Sequence, residues 1–266
     1  MKTINEEIVE WAKKYVPIFN ELSTKYQTPY YTQSPLSVLE NHVDCMIIGI
    51  NPKGELGTGS SVFENPENFL EGNPDWSSRF CEDGTISPNW GKGHRYLPDT
   101  HFFLGYDSFY HPESIDNDKK TIWTNLTPFV SDNGNNDVLR ELMSEGIKST
   151  LELIKIVKPK YIVLLGKEAF AQLKKNSGDA ESSIQYSRVF SNVDAQIGYI
   201  FDIPTVCVRH PAGSWEVSKL FIPMFIFLHK MTVILKNRSP HVNIVEYMRN
   251  EMTLWQKKVS KTCNSR

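Results

Sequence analysis

The chain has 266 residues, 40% hydrophobic and 23% charged, with a net charge of −2 at pH 7. That length lies between one domain and two and suffices for a full hydrophobic core. Its 15 Gly and 15 Pro are scattered, which excludes collagen-like and low-complexity classes. Near-neutrality removes the simplest argument for nucleic-acid binding, a strongly basic chain, and leaves a local basic face open. Cys45, Cys81, Cys207 and Cys263 form no C-x-x-C pair, which argues against a zinc ribbon, a redox pair or a compact iron–sulfur motif. The count suits a reduced, cytoplasmic protein better than a disulfide scaffold.

The first seven residues lack the apolar stretch of a secretory signal. Ile4, Ile8, Trp11, Tyr15 and Phe19 repeat at helical spacing and predict an amphipathic helix that Pro17 kinks or ends. Ser23 to Pro35 reads as loop. Four short apolar runs follow: Cys45–Ile50, Ile122–Thr124, Tyr161–Leu165 and Thr205–Val208. Continuous apolar runs suit strands buried on both faces. A helical pattern from Val138 to Ile154 precedes the third run, and another from Glu168 to Lys175 follows it. Strands separated by helices predict an α/β chain, three layers deep, around a central, mostly parallel four-stranded sheet. The most apolar run, Phe221 to Leu235, is too short for a membrane span and reads as a buried helix.

Between Pro52 and Lys120 lie eight Gly and six Pro, with only a weak helical hint near Phe63–Leu70. Long loops of this kind are more often functional than idle. No linker divides the chain, so it reads as a single domain, 1–266, with a long loop insertion around 52–120.

Open parallel sheets bind ligands beyond the carboxyl ends of their strands. The residues following the four runs are Asn51-Pro52-Lys53, Asn125, Gly166-Lys167 and Arg209-His210-Pro211. Asn51 and Asn125 supply uncharged donors and acceptors that match an amide-like edge such as a nucleobase. A neutral His210 can donate to a developing oxyanion. No nucleophile elbow and no phosphate-binding loop is present.

In order along the chain stand Gly49-Ile50-Asn51-Pro52, Gly57-Thr58-Gly59 with Phe63 twelve residues after Asn51, then Asn125, Leu165-Gly166-Lys167 and His210-Pro211. Together they resemble the uracil-DNA glycosylase superfamily, closest to its mismatch-specific branch. The resemblance implies a monofunctional DNA glycosylase, a hydrolase of base-excision repair. It would break the N-glycosidic bond of uracil, or of a related damaged base, flipped out of DNA, leaving an abasic site. It assigns Asn51 to hold the attacking water and His210 to stabilise charge on the leaving base. It gives Gly49, Ile50, Pro52, Lys53, Phe63 and Asn125 to the substrate, with Phe63 stacking on the base and Asn125 reading its edge. Lys167, Pro211, Ala212, Gly213, Ser214 and Trp215 would meet DNA, Trp215 filling the gap in the helix. DNA is the expected partner of a monomer, with no cofactor, metal or membrane. The sequence departs from the family at Lys53, where Gly or Tyr is usual, and at Ala212 and Ser214, where Ser and an apolar wedge are usual.

Each motif also has a plainer reading. Asn51-Pro52 and Asn125 can serve as turns and strand caps, Phe63 as a core anchor, and His210-Pro211 as a satisfied histidine beside a rigid turn. A non-catalytic nucleic-acid or nucleotide-binding module on the same fold, or an enzyme acting on free nucleosides, would keep the same pocket. His94, His101 and His111, with Asp99 and Asp107, lack the helical spacing of a metal site.

Overall fold

The computed structural model describes residues 2–52, 59–76, 79, 96–106, 109, 114–131, 136–176, 185–190, 193–210, 228–237, 243, 246–248, 250, 251, 253 and 254. Helix α1 (Ile4–Tyr26) opens with a capping box in which Thr3 and Glu6 each accept the other's backbone N–H. The apolar stripe buries Ile8, Trp11, Tyr15, Val16, Phe19 and Leu22. Pro17 lies inside the helix and does not end it. Pro17 and Lys13 both face solvent, so water can take the carbonyl that Pro17 leaves without an amide partner. Continued burial of Phe19 and Leu22, roughly 1.5–3 kcal/mol for each side chain, carries the helix past the point where a loop was expected.

The strands are β1 (Cys45–Gly49), β2 (Thr121–Asn125), β3 (Tyr161–Leu165), β4 (Gln185–Phe190), β5 (Val193–Ile200) and β6 (Ile203–Val208). Among the described residues these six form one sheet, ordered β2-β1-β3-β6-β5-β4. The four expected strands are β1, β2, β3 and β6, and they pair in parallel. The expected count of four is corrected to six. A β4–β5 hairpin pairs antiparallel onto β6. The chain alternates from Val193 through Asp194, Ala195 and Gln196 to Ile197, the period of a half-buried strand rather than the continuous apolar run that marks the other four.

Neighbouring residues of each parallel strand enter opposite cores. Met46, Ile48, Ile162 and Leu164 meet α1, α3 (Asn136–Val157) and α4 (Lys167–Asn176) on one face. Cys45, Ile47, Val163 and Leu165 meet Leu97 of α2 (Tyr96–Phe103) and Leu228, Met231 and Leu235 of α5 (228–236) on the other. Helices therefore cover both faces, and burial on both sides explains why these strands read as unbroken apolar runs. α5 supplies the end of the expected Phe221–Leu235 helix; residues 211–227 lie outside those described. The outer edge of β2 is closed by Ser34, whose N–H donates to the Trp123 carbonyl and whose Oγ accepts from the Trp123 N–H, both at 2.9 Å.

The 52–120 segment is more than loop. Its described parts include a 3-10 helix (Pro66–Glu71), α2 and one helical turn (Ile115–Asp118). Arg79, whose side chain is 1% exposed, ties the chain at Trp76, Phe109 and Ser114 to the last of these, the helical turn. The guanidinium donates to the carbonyls of Trp76 and Phe109, to Ser114 Oγ and to Asp118 Oδ2. The Trp76 indole also donates to Asp118, at 3.1 Å. Cys45 and Cys207 are buried, as expected of thiols in strands; Cys81 and Cys263 lie outside the described residues.

Candidate functional site

The parallel strand order places the carboxyl ends of β2, β1, β3 and β6 along one edge of the sheet. The chain passes from β1 to β2 on one side, then back across β1 to β3 on the other, so the direction of winding reverses between β1 and β3. A crevice at such a reversal is the usual ligand site of an open α/β sheet. Asn51 and Asn125 stand at the ends of adjacent strands. Gly166 and His210 follow one and two strands further along, about 5 and 10 Å from β1 by strand spacing.

Two backbone segments are zipped together at this edge. Leu126 N donates to Gly49 O at 2.9 Å, Thr127 N to Ile50 O at 3.1 Å and Ser131 N to Pro52 O at 3.2 Å. The 126–131 segment is fixed in turn by α3. Thr150 Oγ1 donates to the carbonyls of Asn125 and Leu126, and Thr127 Oγ1 donates to Leu142 O. Gly146 permits the contact, because a Cβ there would lie 2.5 Å from Thr127 Cβ. The two asparagines are thus carried on elements held at several points, as a preorganised site requires.

Asn51 is half-buried, and its Nδ2 donates to Pro52 O at 2.9 Å and to Ser131 Oγ at 2.8 Å. Asn125 is also half-buried and pairs in register with Gly49. Its amide rests against that glycine: a Cβ at position 49 would fall 2.6 Å from Asn125 Oδ1. On the neighbouring strand, Gly166 has φ +119° and its N–H donates to Val208 O at 2.8 Å, which ties the end of β3 to the end of β6. Ile50 closes the space between β1 and β3, with its Cδ1 3.3 Å from where a Cβ of Gly166 would stand.

Phe63 is held from α1. Asn20 Nδ2 donates to Phe63 O at 3.0 Å, and Phe63 N donates to Asn20 Oδ1 at 2.9 Å. Tyr30 OH, its phenol pushed up by burial and therefore protonated, also donates to Asn20 Oδ1, at 2.7 Å. The Phe63 ring packs edge-to-face with Tyr30 and Phe69 at centroid separations of 5.2 and 5.7 Å. Tyr30 in turn packs on Phe129, two residues before Ser131.

The structure thus brings Gly49, Ile50, Asn51, Pro52 and Asn125 into one zipped unit. It sets His210 and the first residue of α4, Lys167, on the same edge, and anchors Phe63 in the adjoining aromatic cluster. Lys53 and the Pro211, Ala212, Gly213, Ser214 and Trp215 block lie outside the described residues. Sequence reading missed Ser131 and Asn20. Ser131 is 80 positions from Asn51 and belongs to no motif. Asn20 offered a weak signal, as a polar residue beside Phe19 on the apolar helix. Of the histidines and aspartates weighed as a metal cluster, His101 is buried with both ring nitrogens unpartnered. His94, His111 and Asp107 lie outside the described residues, as does the side chain of Asp99. Among the described residues, no group of three His, Cys, Asp or Glu could hold a metal ion, and no helix is long and apolar enough to cross a membrane.

Compared with known protein families and with curated proteins, the chain matches none.

Proposed function

We propose that this chain is a DNA glycosylase of the uracil-DNA glycosylase type, hydrolysing the N-glycosidic bond of a flipped-out uracil or related base. The observation that carries this reading is the Asn51–Asn125 pair at the carboxyl ends of the adjacent strands β1 and β2, with Asn51 beside the winding reversal. Asn51 has both amide hydrogens engaged by Pro52 and Ser131, so its oxygen is the atom left to meet a ligand. Beside it, the Asn125 amide lies over Gly49 with no hydrogen bond to a described residue. The strand order and the helices on both faces suit the three-layer architecture of that superfamily.

In this reading Asn51 Oδ1 accepts a hydrogen bond from a water molecule and turns the water's lone pair toward C1′. A neutral amide orients the water without removing its proton, so bond breaking runs ahead of attack. Asn125 pairs with the base's polar edge through one donor and one acceptor. His210 donates to the base oxygen on which negative charge gathers, a contribution of several kcal/mol in a dry site. The departing base takes up a proton, and the water oxygen becomes the new C1′ hydroxyl. Phe63 supplies a ring to the pocket wall. No cofactor enters the scheme, and the partner is DNA.

The net charge of −2 favours a second reading, a non-catalytic module that holds a base or nucleotide. Oligonucleotides carrying uracil, thymine mispairs, hypoxanthine and xanthine, assayed for alkali-labile abasic sites, separate the two. The proposal expects abasic sites from at least one of them, lost in both Asn51→Ala and His210→Ala chains that still fold. Binding without abasic sites supports the second reading and overturns the first, as does full activity in both variants.

A further inference from the structure

We infer that Ser131 is a positioning residue, fixing which end of the Asn51 amide faces the substrate. The kinetic consequence rests on the base-removal reading; the orientation itself does not. A single terminal atom of Asn51 approaches both Pro52 O, at 2.9 Å, and Ser131 Oγ, at 2.8 Å. A carbonyl oxygen only accepts, so the atom facing Pro52 is the nitrogen and Ser131 Oγ receives its second hydrogen. A rotated amide would set oxygen against oxygen at Pro52. With both N–H bonds used, Oδ1 is the remaining polar atom of the side chain and accepts from no described residue.

Ser131 is suited to this task because it is itself immobilised. It is 1% exposed, and its own N–H donates to Pro52 O at 3.2 Å. Backbone and side chain of one residue therefore grip the Asn51-Pro52 turn at two points. Without the hydroxyl, the amide keeps a single bond to Pro52 O and can swing about it. The outward oxygen is what an acceptor role demands: it accepts a hydrogen bond from water or from a ligand N–H, where an outward NH2 would present hydrogens to either.

The test uses the full chain with asparagine-selective 15N labelling. The side-chain NH2 signals of Asn51 are assigned by their loss in Asn51→Asp. In the native chain these two protons are expected to be well separated and slow to exchange. In Ser131→Ala, and in Ser131→Cys, which nearly preserves volume, the separation is expected to collapse, with exchange about tenfold faster. Ser131→Thr, which keeps the oxygen, is expected to retain the native pattern. With a uracil oligonucleotide, Ala and Cys are expected to lower kcat about tenfold while KM stays within about twofold, and Thr to recover most of the rate. Unchanged Asn51 signals in folded Ser131→Ala overturn the inference whatever the activity. So does a native kcat in that variant where the native chain cleaves. A native chain that cleaves nothing defeats the glycosylase reading alone, and the NMR arm still decides Ser131.

Discussion

The carboxamide of Asn125 lies so close to the α-carbon of Gly49 that a single methyl group at position 49 would stand 2.6 Å from its oxygen. The glycine is needed for this approach, because its partner in the register is Asn125 itself. Gly49→Ala is therefore expected to fold with stability within about 1 kcal/mol of native, since the displaced atom ends a movable side chain. The amide must move aside, and under the proposed glycosylase reading a misplacement of that size is expected to lower base removal about a hundredfold. Melting temperature and single-turnover cleavage, measured on the same preparation, check both halves. Native cleavage by Gly49→Ala would show that Asn125 does not read the base.

The Arg79–Asp118 pair predicts the opposite balance, a large effect on stability. Burial pushes the Asp118 carboxyl up and the Arg79 guanidinium down, and each is held charged by the other and by its hydrogen bonds. Removing one partner leaves a buried charge alone, which costs about 3–5 kcal/mol. Asp118→Leu and Arg79→Met are each expected to lose that much in urea unfolding. The double variant is expected to lose less than the sum, because it leaves no buried charge behind.

His101 predicts an acid-dependent loss of stability. Burial first, then the nearby charges of Arg79 and Lys236, push its imidazole down to about 3 from an ordinary 6.5. The folded chain therefore favours the neutral ring, which packs on Tyr106 and Phe109. Its contribution is fully present above pH 6.5 and declines as pH falls toward 3, because the unfolded chain binds the proton first. The slope from this one group approaches about 1.4 kcal/mol per pH unit. The unfolding free energy of the native chain minus that of His101→Phe is expected to be lower at pH 5 than at pH 7.5, by about 2 kcal/mol, and the comparison cancels the other histidines. Parallel pH profiles would remove His101 as the cause.

What the sequence disclosed follows from how far each signal reaches. The four parallel strands were legible because burial on both faces leaves unbroken apolar runs, and the helices because Trp11 or Leu142 recur at helical spacing. β5 was not, because it pairs antiparallel and only every second side chain at its start is apolar, a shorter and weaker signal than an unbroken apolar run. Pro17 misled because local propensity says nothing of which face a residue occupies. At the site, Asn51 and Asn125 could be found as residues that follow strands. Ser131 could not, because only the zipper between 49–52 and 126–131 brings it to Asn51. The ordered part of 52–120 was hidden for a similar reason: Trp76, Arg79 and Asp118 are distant in the chain and share one buried polar centre.

The Asn20 clamp on Phe63 separates a structural role for that ring from a role in binding. Asn20→Asp keeps the oxygen that accepts from Phe63 N and Tyr30 OH, but loses the donor to Phe63 O and turns a carboxylate oxygen toward that carbonyl. A part-buried unsatisfied carbonyl costs about 1–3 kcal/mol, so a fall in stability of that size is expected in urea unfolding. Phe63→Leu keeps the clamp and most of the apolar contact with Tyr30 and Phe69 but removes the aromatic face. If the ring stacks on a flipped base, Phe63→Leu is expected to weaken binding to a uracil oligonucleotide by about tenfold, in line with about 1–3 kcal/mol per stacked base, while stability changes little. If the ring is only an anchor, Phe63→Leu binds as the native chain does, and the substrate role assigned to Phe63 is withdrawn.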